Sequence, residues 1–363
     1  MQRQLRGVRL LFLIAGLALS IGCGSSSSGL PPSQSFVYIA NQHSQNISAF
    51  KRDPVGGTLT PVVGSPFATN IPSNFLLFPQ VEVDPKNQLL FSLGAGQLVV
   101  RVIDPISGAL SPASGSPFSF SACSTRSLSV EPKGGFVYVG TQCAGIVAWK
   151  IDRTNRTLAP VQGSPFGNSG TAYGATIDPE GKFLYAAEMQ DISTYAIDPV
   201  TGALTLANGP FYIPGDAPEF ITMHPSGNFA YVFGENQELN TELWDCIVDP
   251  ANGAVSAFQN EHQVFPLALT GDGKFFFSPT GIYKIIDSGQ LLEVSPTPLT
   301  SPSGPAVVSP DNLFVYATTM GPSQSDPGLI SVFSLDETTG TTTQVSGSPY
   351  TVGDFPAAIA ITH

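Results

Sequence analysis

The chain has 363 residues, of which 42% are hydrophobic and 12% are charged, and its formal net charge is −12. Its 15 basic residues against 27 acidic ones argue against a nucleic-acid-binding protein, because such proteins present a dense basic surface. A chain of this length can bury a large core, and the repeat described below favours one closed domain over several separate ones.

The first 22 residues are predicted to be an export signal rather than part of the fold. Three arginines within the first nine residues precede the apolar stretch from Leu10 to Ile21. The stretch is too short to span a bilayer comfortably, and a basic start followed by such a stretch is typical of a cleaved signal peptide. Its removal takes away three positive charges and no negative ones, which leaves the mature chain at −15.

The segment Leu19-Ser20-Ile21-Gly22-Cys23 resembles a bacterial lipobox, whose cysteine is acylated and becomes the new N-terminus. Ser20 stands where that pattern usually has a branched apolar residue. Four serines follow at 25–28, and a polar flexible tether is what an anchored domain needs. The resemblance implies lipidation of Cys23, a tether over 23–34, and a location on the periplasmic or surface side of a bacterial envelope. Ordinary signal cleavage beside a chance cysteine is the alternative.

Two short patterns repeat along the rest of the chain. Gly-Ser-Pro-Phe occurs at 64–67, 115–118 and 163–166, and variants of it occur at 208–211 and 347–350. Between these copies lies a tight turn, usually an acidic residue and proline followed by glycine, and its prolines at 85, 132, 179 and 225 are 47, 47 and 46 residues apart. A fixed period of this size is typical of a repeat architecture.

One copy, residues 173–215, divides into four predicted strands, which we name A to D. Short alternating or apolar runs form the strands, and tight turns beginning at Asp178 and Asp198 close the A–B and C–D hairpins. The same register fits six further copies, of which 265–304 is the weakest. No segment after the signal has a helical period, so the sequence predicts an all-β, seven-bladed β-propeller of four-stranded antiparallel blades over 35–363. A β-sandwich or a six-bladed ring is the runner-up.

The two ends of this domain predict how the ring closes. The first copy begins directly at a strand B, with Phe36, and lacks its own strand A. The last segment, 356–361, reads as a strand A without a copy of its own. We therefore expect this C-terminal strand to pair with the first blade, which removes an exposed edge.

Three cysteines remain after Cys23. Cys123 and Cys143 flank one strand-turn-strand unit, so a disulfide between them is plausible in an oxidising compartment. Two small buried apolar side chains are the alternative. Cys246 is predicted to be a core residue. No cysteine or histidine has metal-ligand spacing, and we predict no metal and no cofactor.

The antiparallel order places any functional site at one end of the propeller. The A–B and C–D turns lie together at one end and are uniformly short, whereas the B–C and D–A loops at the other end vary in length and content. Variable loops on a rigid scaffold are where binding groups collect. The phenylalanine that recurs in Gly-Ser-Pro-Phe is predicted to pack between blades rather than to bind a ligand.

The repeat resembles the seven-bladed lactonase family, the relatives of 6-phosphogluconolactonase and muconate cyclase, and is close to the YVTN-type repeats of surface proteins. The resemblance rests on Phe-Val-Tyr-Ile-Ala-Asn at 36–41, on the Asp-Pro turns, and on nearly the whole mature chain. A blade of the catalytic relatives reads Gly-Pro-Arg-His, a strand, His-Pro-x-Gly and Tyr-Val-x-Asn-Glu. In the fifth copy Glu235 matches the final acid of this pattern, but Glu219 and Phe220 stand where the family has arginine and histidine.

This departure leaves two hypotheses about function. Opening a lactone needs a base or metal to activate water and a cationic or hydrogen-bonding group for the developing oxyanion. The first hypothesis is a lipid-anchored binding or interaction module whose catalytic set is degenerate. The second is a lactone hydrolase in which Glu235 or Glu188 is the base and Arg126 stabilises the oxyanion.

Further candidates lie in the predicted loops. The binding candidates are His43, Asp191, Glu219 and Glu238. The simpler interpretation of a larger acidic set is a solvated rim, and a rim that holds a divalent cation is a third possibility; the set is Glu188, Asp191, Glu235, Glu238 and Glu242. The partner is predicted to be an envelope protein or a small molecule, with no nucleic acid, with membrane contact only through the anchor, and with a monomeric chain.

Overall fold

Everything that the computed structural model describes after the N-terminal segment is built from strands. The described residues are 34–69, 80–94, 96–120, 125–167, 170–213, 216–236, 241–262, 268–279, 281–295 and 304–363. Residues 34–363 form one compact unit. The predicted signal, Cys23 and most of the tether lie outside the described residues. Within the described ranges, no helix has the length and apolar character needed to cross a membrane.

The first strands in chain order are β1 (Ser35–Asn41), β2 (Asn46–Arg52), β3 (Leu59–Pro61), β4 (Phe67–Ala68), β5 (Val81–Val83), β6 (Leu89–Gly94), β7 (Gln97–Ile103), β8 (Leu110–Pro112), β9 (Phe118–Ser119), β10 (Thr125–Val130), β11 (Phe136–Thr141), β12 (Gly145–Asp152), β13 (Thr157–Pro160), β14 (Gly174–Ile177), β15 (Phe183–Ala187) and β16 (Asp191–Ile197). The remaining strands are β17 (Leu204–Tyr212), β18 (Asp216–Met223), β19 (Phe229–Asn236), β20 (Thr241–Val248), β21 (Val255–His262), β22 (Ala268–Leu269), β23 (Phe275–Ser278), β24 (Gly281–Ile285), β25 (Leu291–Ser295), β26 (Ala306–Val308), β27 (Phe314–Thr319), β28 (Pro327–Leu335), β29 (Thr342–Gln344), β30 (Tyr350–Asp354) and β31 (Pro356–Ile361).

These strands form seven antiparallel sheets, the blades, which confirms the predicted all-β, seven-bladed propeller. From the innermost strand outward, blade 1 consists of β31, β1, β2 and β3, blade 2 of β5 to β8, blade 3 of β10 to β13, blade 4 of β14 to β17, blade 5 of β18 to β21, blade 6 of β22 to β25 and blade 7 of β26 to β29. The short strands β4, β9 and β30 pair with the third strand of blades 1, 2 and 7.

The C-terminal strand closes the ring, as the sequence predicts. β31 pairs antiparallel with β1, with Ile361 opposite Val37 and Ala358 opposite Ala40. Its innermost neighbours are β5 of blade 2 and β26 of blade 7, both of which it contacts. The first and last segments of the domain therefore share one blade, and the edge of β1 is covered.

In blades 1, 2, 3 and 7, Gly-Ser-Pro-Phe or its variant Gly-Ser-Pro-Tyr joins the outer part of the blade to its third strand. The serine hydroxyl accepts a hydrogen bond from the third strand, at 2.8 Å from Ala49 N to Ser65 Oγ and at 2.9 Å from Val100 N to Ser116 Oγ. The phenylalanine is partly buried in a cluster shared by two blades, as Phe67 is between blades 1 and 2. The predicted packing role of this phenylalanine is thereby confirmed.

A second repeated contact joins neighbouring blades at their C–D turns. Gly108 in the turn of blade 2 has φ +73°, and a Cβ there would overlap the ring of Phe36 in blade 1. Two residues along, the hydroxyl of Tyr38 donates to the Gly108 carbonyl at 2.9 Å. The glycine is thus required twice, for its left-handed backbone and for the close approach of the ring.

Candidate functional site at the loop end of the innermost strands

Each innermost strand begins at the end of the propeller that carries the B–C and D–A loops, which we call the loop end. In blades 1, 3 and 5 the pairing of strands A and B slips by one residue near this point, so that Ala357, Arg126 and Glu219 are each the extra residue of a β-bulge. Arg126 and Glu219 lie five residues before Glu131 and His224, the first residues of their A–B turns. Ala357 lies five residues before Thr362, whose N–H donates to the carbonyl of Phe36 in β1. We call this place the bulge position. A bulge of this kind changes the direction of a side chain relative to the regular strand.

Three consecutive blades carry functional groups at this position: Arg126 in blade 3, Tyr173 in blade 4 and Glu219 in blade 5. The guanidinium carbon of Arg126 lies 5.3 Å from the centre of the Tyr173 ring. Tyr173 is held in turn by its backbone N–H, which donates to the carbonyl of Ala187 at 2.8 Å. All three side chains are half-buried. A cation stacked on an aromatic ring, with a carboxyl on the next blade, is suited to polar ligands.

The residue after the bulge in blade 5, Phe220, is partly buried and packs against the core. Phe220 lies 6.2 Å from Phe233 between ring centres. It also packs against a cluster shared by blades 5 and 6 that includes Tyr231 and Phe276. The place where the resemblance implies a histidine is therefore occupied by an apolar ring with packing partners.

Glu188 lies at the end of strand B in blade 4 and is buried, with 5% of its surface exposed. Its carboxylate accepts a hydrogen bond from the hydroxyl of Tyr195 at 2.9 Å. Tyr195 belongs to the cluster between blades 3 and 4. This hydrogen bond holds the carboxylate at the interface between blades 3 and 4, which is a structural role. The role of Glu188 as a catalytic base stays a prediction.

Asp191 shares a tight turn with Glu188, whose N–H donates to the Asp191 carbonyl at 2.8 Å. Burial raises the pKa of the Asp191 carboxyl, and a hydrogen bond from Ser193 opposes the rise. Among the described groups, its Oδ1 is buried without a hydrogen-bond partner. Asp191 is therefore an acceptor with spare capacity at the loop end.

His43 lies in the B–C loop of blade 1, where its ring stacks on Phe355 at 5.1 Å between centres. Phe355 lies between β30 of blade 7 and β31 of blade 1, whereas the described ring contact of Arg126 is with Tyr173 of blade 4. Glu235 lies in β19, where its backbone pairs with Ala217 and Thr241. The structure describes only the backbone of Glu235, and Glu238 lies outside the described residues.

The structure describes two of the three cysteines of the predicted domain, Cys143 and Cys246. Cys143 is disulfide-bonded, and Cys123 lies outside the described residues, so their pairing stays a prediction. Cys246 has a free thiol and is buried, as the sequence predicts. Within the described ranges, no three His, Cys, Asp or Glu side chains are grouped closely enough to hold a metal ion.

The sequence analysis missed one carboxyl on the innermost ring. Glu82 in β5 accepts a hydrogen bond from the N–H of Val130, on the innermost strand of the next blade, at 3.1 Å. Burial raises the pKa of Glu82 to about 8, and the Val130 hydrogen bond opposes the rise. A comparison of the copies could have found it, since other blades have a small polar residue at this place: Ser129, Thr176 and Thr222.

Comparison with known proteins agrees with this architecture. The sequence profile of the family described as Lactonase, 7-bladed beta-propeller matches residues 175–363. No curated protein matches the sequence significantly.

Solved structures are similar over nearly the whole chain. A candidate 6-phosphogluconolactonase from Bacteroides uniformis ATCC 8492 is 18% identical, with a TM-score of 0.70 over 92% of this chain and 100% of that one. A candidate 6-phosphogluconolactonase from Bacteroides fragilis NCTC 9343 is 16% identical, with a TM-score of 0.70 over 92% and 99%. The periplasmic gluconolactonase of Pseudomonas aeruginosa is 18% identical, with a TM-score of 0.67 over 91% and 99%. At these identities the likeness shows the fold, and function must be argued from the site.

Proposed function

The chain belongs to the seven-bladed β-propeller lactonase family, and from this premise we propose that it is an exported, lipid-anchored binding module with a degenerate catalytic site. The observation that carries the proposal is the packing of Phe220 against Phe233 and the core of blades 5 and 6. The imidazole that the resemblance implies at this place is absent, and Glu219 brings a negative charge where a cation would be needed for an oxyanion. The binding surface is the row of bulge positions formed by Arg126, Tyr173 and Glu219.

Buried packing supports degeneracy more strongly than a sequence difference alone. A surface position could lose its histidine and still receive one from a neighbouring loop. Here the ring of Phe220 is partly buried and packs against the core side chains of blades 5 and 6. The carboxyl of Glu188 is held by Tyr195 within a blade interface. Glu188 therefore does not supply a general base within reach of water.

One observation favours the second candidate, a lactone hydrolase. Arg126 stands at the bulge position of blade 3, the place that corresponds to Glu219 in blade 5. A cation for an oxyanion is therefore present two blades away, and Glu235 matches the acid of the family pattern. In that mechanism Glu235 would accept a proton from water and Arg126 would donate hydrogen bonds to the carbonyl oxygen.

A thermal-shift screen and a hydrolysis assay separate the two. Purified mature protein is mixed with aldonolactones, acyl-homoserine lactones and the acids that they release on hydrolysis. The binding proposal predicts ligands that raise the midpoint of unfolding without being consumed, and loss of that shift in Arg126→Gln. Turnover that disappears in Glu235→Gln establishes the hydrolase instead.

A separate experiment tests the lipid anchor. Cys23→Ala should release the protein from membranes, and unchanged retention contradicts lipidation.

A further inference from the structure

The chain enters the propeller at the end opposite the candidate site. Ser35 pairs with Arg52, the last residue of β2, which lies directly before the C–D turn of blade 1. The ring of the next residue, Phe36, packs against Gly108 in the C–D turn of blade 2. The tether therefore reaches the domain between two C–D turns. We call this end, which carries the A–B and C–D turns, the turn end.

Three C–D turns carry an apolar side chain that is directed into solvent. Val55 in blade 1 is 85% exposed, Ile106 in blade 2 is 73% exposed and Val200 in blade 4 is 71% exposed. All three are the second residue after the aspartate that begins the turn. Two of them flank the place where the tether joins the domain.

The turns do not need these apolar residues. In each turn the backbone N–H at this position donates to the aspartate, as Val55 N does to Asp53 Oδ1 at 3.1 Å and Ile106 N to Asp104 Oδ1 at 3.0 Å. The sibling turns make the same hydrogen bond with other residues at this position: Thr154, Ala251 and Thr338. The turn geometry is thus indifferent to the side chain here, so the valine and isoleucine are free to make contacts outside the domain.

The charges at the two ends favour the turn end as the one that meets an anionic surface. The four A–B turns of blades 2, 3, 4 and 6 carry exposed lysines among the turn aspartates: Lys86, Lys133, Lys182 and Lys274. At the loop end, carboxyl groups outnumber the basic groups, of which Arg126 is the example at the bulge position. The turn end also carries the acids that begin its turns, and Lys182 and Lys274 are paired there with Glu180 and Asp272. It is therefore the end at which an anionic bilayer meets exposed basic groups, without being net positive.

The length of the tether limits how far the domain can lie from the bilayer. The predicted tether, 23–34, is rich in serine and glycine, and linkers of that composition and length have a root-mean-square span of about 20 Å. A domain held this closely by an acylated Cys23 keeps the end at which the tether enters beside the bilayer. Apolar side chains at that end are then within reach of the headgroup region.

We propose that the turn end rests on the lipid bilayer, with Val55, Ile106 and Val200 inserted at the headgroup boundary and the candidate site facing away from the membrane. This inference rests on the lipid anchor of the proposed function. It adds an orientation: the loop end is presented to the compartment, where a soluble ligand or partner can approach it.

Depth-dependent fluorescence quenching tests the orientation in the full lipidated chain. Single cysteines at Val55, Ile106 and Val200 are labelled with an environment-sensitive fluorophore, and Met189→Cys is the matched control, an apolar residue 60% exposed at the loop end. The native thiol of Cys246 is buried. The protein is reconstituted in phosphatidylethanolamine–phosphatidylglycerol vesicles that contain nitroxide-labelled lipids.

We expect quenching and a blue shift at the three turn positions and neither at Met189→Cys. Vesicle-bound protein without quenching at the turn positions, or with quenching at Met189→Cys, overturns the orientation and leaves the anchor intact. Protein that does not stay with the vesicles overturns the anchor and the orientation together.

A second variant tests the side chains themselves. The triple variant V55T/I106T/V200T copies the sibling turns, so we expect it to fold normally. A label at Thr154→Cys, on the sibling turn of blade 3, should lose at least half of its quenching in the triple variant. The control L292T/V294T replaces two exposed apolar residues of the outermost strand of blade 6 and should leave the quenching unchanged. Unchanged quenching in the triple variant overturns the proposal, as does a solution dimer that the triple variant disperses, because a second copy would then cover this end.

Discussion

Arg126 and Glu219 occupy equivalent β-bulges in blades 3 and 5. Each is the extra residue at the point where strand A slips by one residue against strand B. One blade presents a cation at this place and the other an anion, while Tyr173 lies between them in the chain of blades. The two blades share the same slip in pairing, so the difference in charge is a difference in what each blade offers a ligand. Differences of this kind, rather than the shared pattern, carry the chemistry of the site.

The first prediction concerns Glu188. Its buried carboxylate accepts a hydrogen bond from Tyr195 at 2.9 Å, so Glu188→Ala should lower the free energy of unfolding by about 1–3 kcal/mol because the hydroxyl loses its partner. Glu188→Gln keeps an acceptor and should cost less than half as much. Urea denaturation measures both. Equal stability of Glu188→Ala and the native protein would show that the hydrogen bond contributes nothing.

The second prediction concerns the pH dependence of stability through Glu82. Its pKa is raised to about 8 in the folded state, so the folded protein holds this proton where the unfolded chain, with an ordinary glutamate pKa, releases it. The stability linked to this group is fully present below the unfolded pKa. It declines as the pH rises toward 8, by about 1.4 kcal/mol for each pH unit between the unfolded and the folded pKa.

Glu82→Gln should remove that decline. The free energy of unfolding of the variant, measured by urea denaturation from pH 5 to 9, should therefore rise relative to that of the native protein as the pH increases. Parallel curves for the two proteins would contradict the raised pKa.

The third prediction concerns the contact between C–D turns and neighbouring blades. A Cβ at Gly108 would overlap the ring of Phe36 and also place a side chain at φ +73°, so Gly108→Ala should destabilise the domain by more than about 2 kcal/mol. Gly115→Ala is the matched control, with φ +79° but with its nearest neighbours at 3.4 Å. The difference between the two thermal midpoints isolates the overlap from the backbone cost. Similar midpoints would mean that the ring moves aside freely.

The fourth prediction concerns the serine of the repeated motif. Ser116 Oγ accepts the N–H of Val100 at 2.9 Å, so Ser116→Ala leaves this donor without its partner and should cost about 1 kcal/mol. The neighbouring Ser114 is exposed, and Ser114→Ala should leave the unfolding midpoint unchanged. A loss of stability in Ser114→Ala as large as that in Ser116→Ala would contradict the assignment.

Much of the fold could be predicted from the sequence because the same pattern of strands and turns recurs in several copies. The turns beginning at Asp178 and Asp198 fix hairpins by local chemistry, and the strand at 356–361 is recognisable as a strand A without a copy of its own. Even the weakest copy, 265–304, forms a blade. Repetition makes these predictions robust, since an error in one copy is corrected by the others.

The site was harder to predict because it depends on register and contact rather than on residue type. A bulge at Arg126 follows from how β10 pairs with β11, which one strand's sequence does not state. The burial of Glu188 depends on Tyr195 being within reach, and the raised pKa of Glu82 depends on a neighbouring blade. The family pattern marks Glu219 and Phe220 as departures on the sequence alone, but the packing of Phe220 required the structure.

Titration calorimetry of the native protein with the lactone panel tests the central claim most directly, because it records binding and turnover in one trace. The account predicts that the signal returns to baseline after each injection with every lactone, so that any heat observed is the heat of binding. A sustained displacement of the baseline that persists until the lactone is consumed, and that is lost in Arg126→Gln or Glu235→Gln, would contradict it.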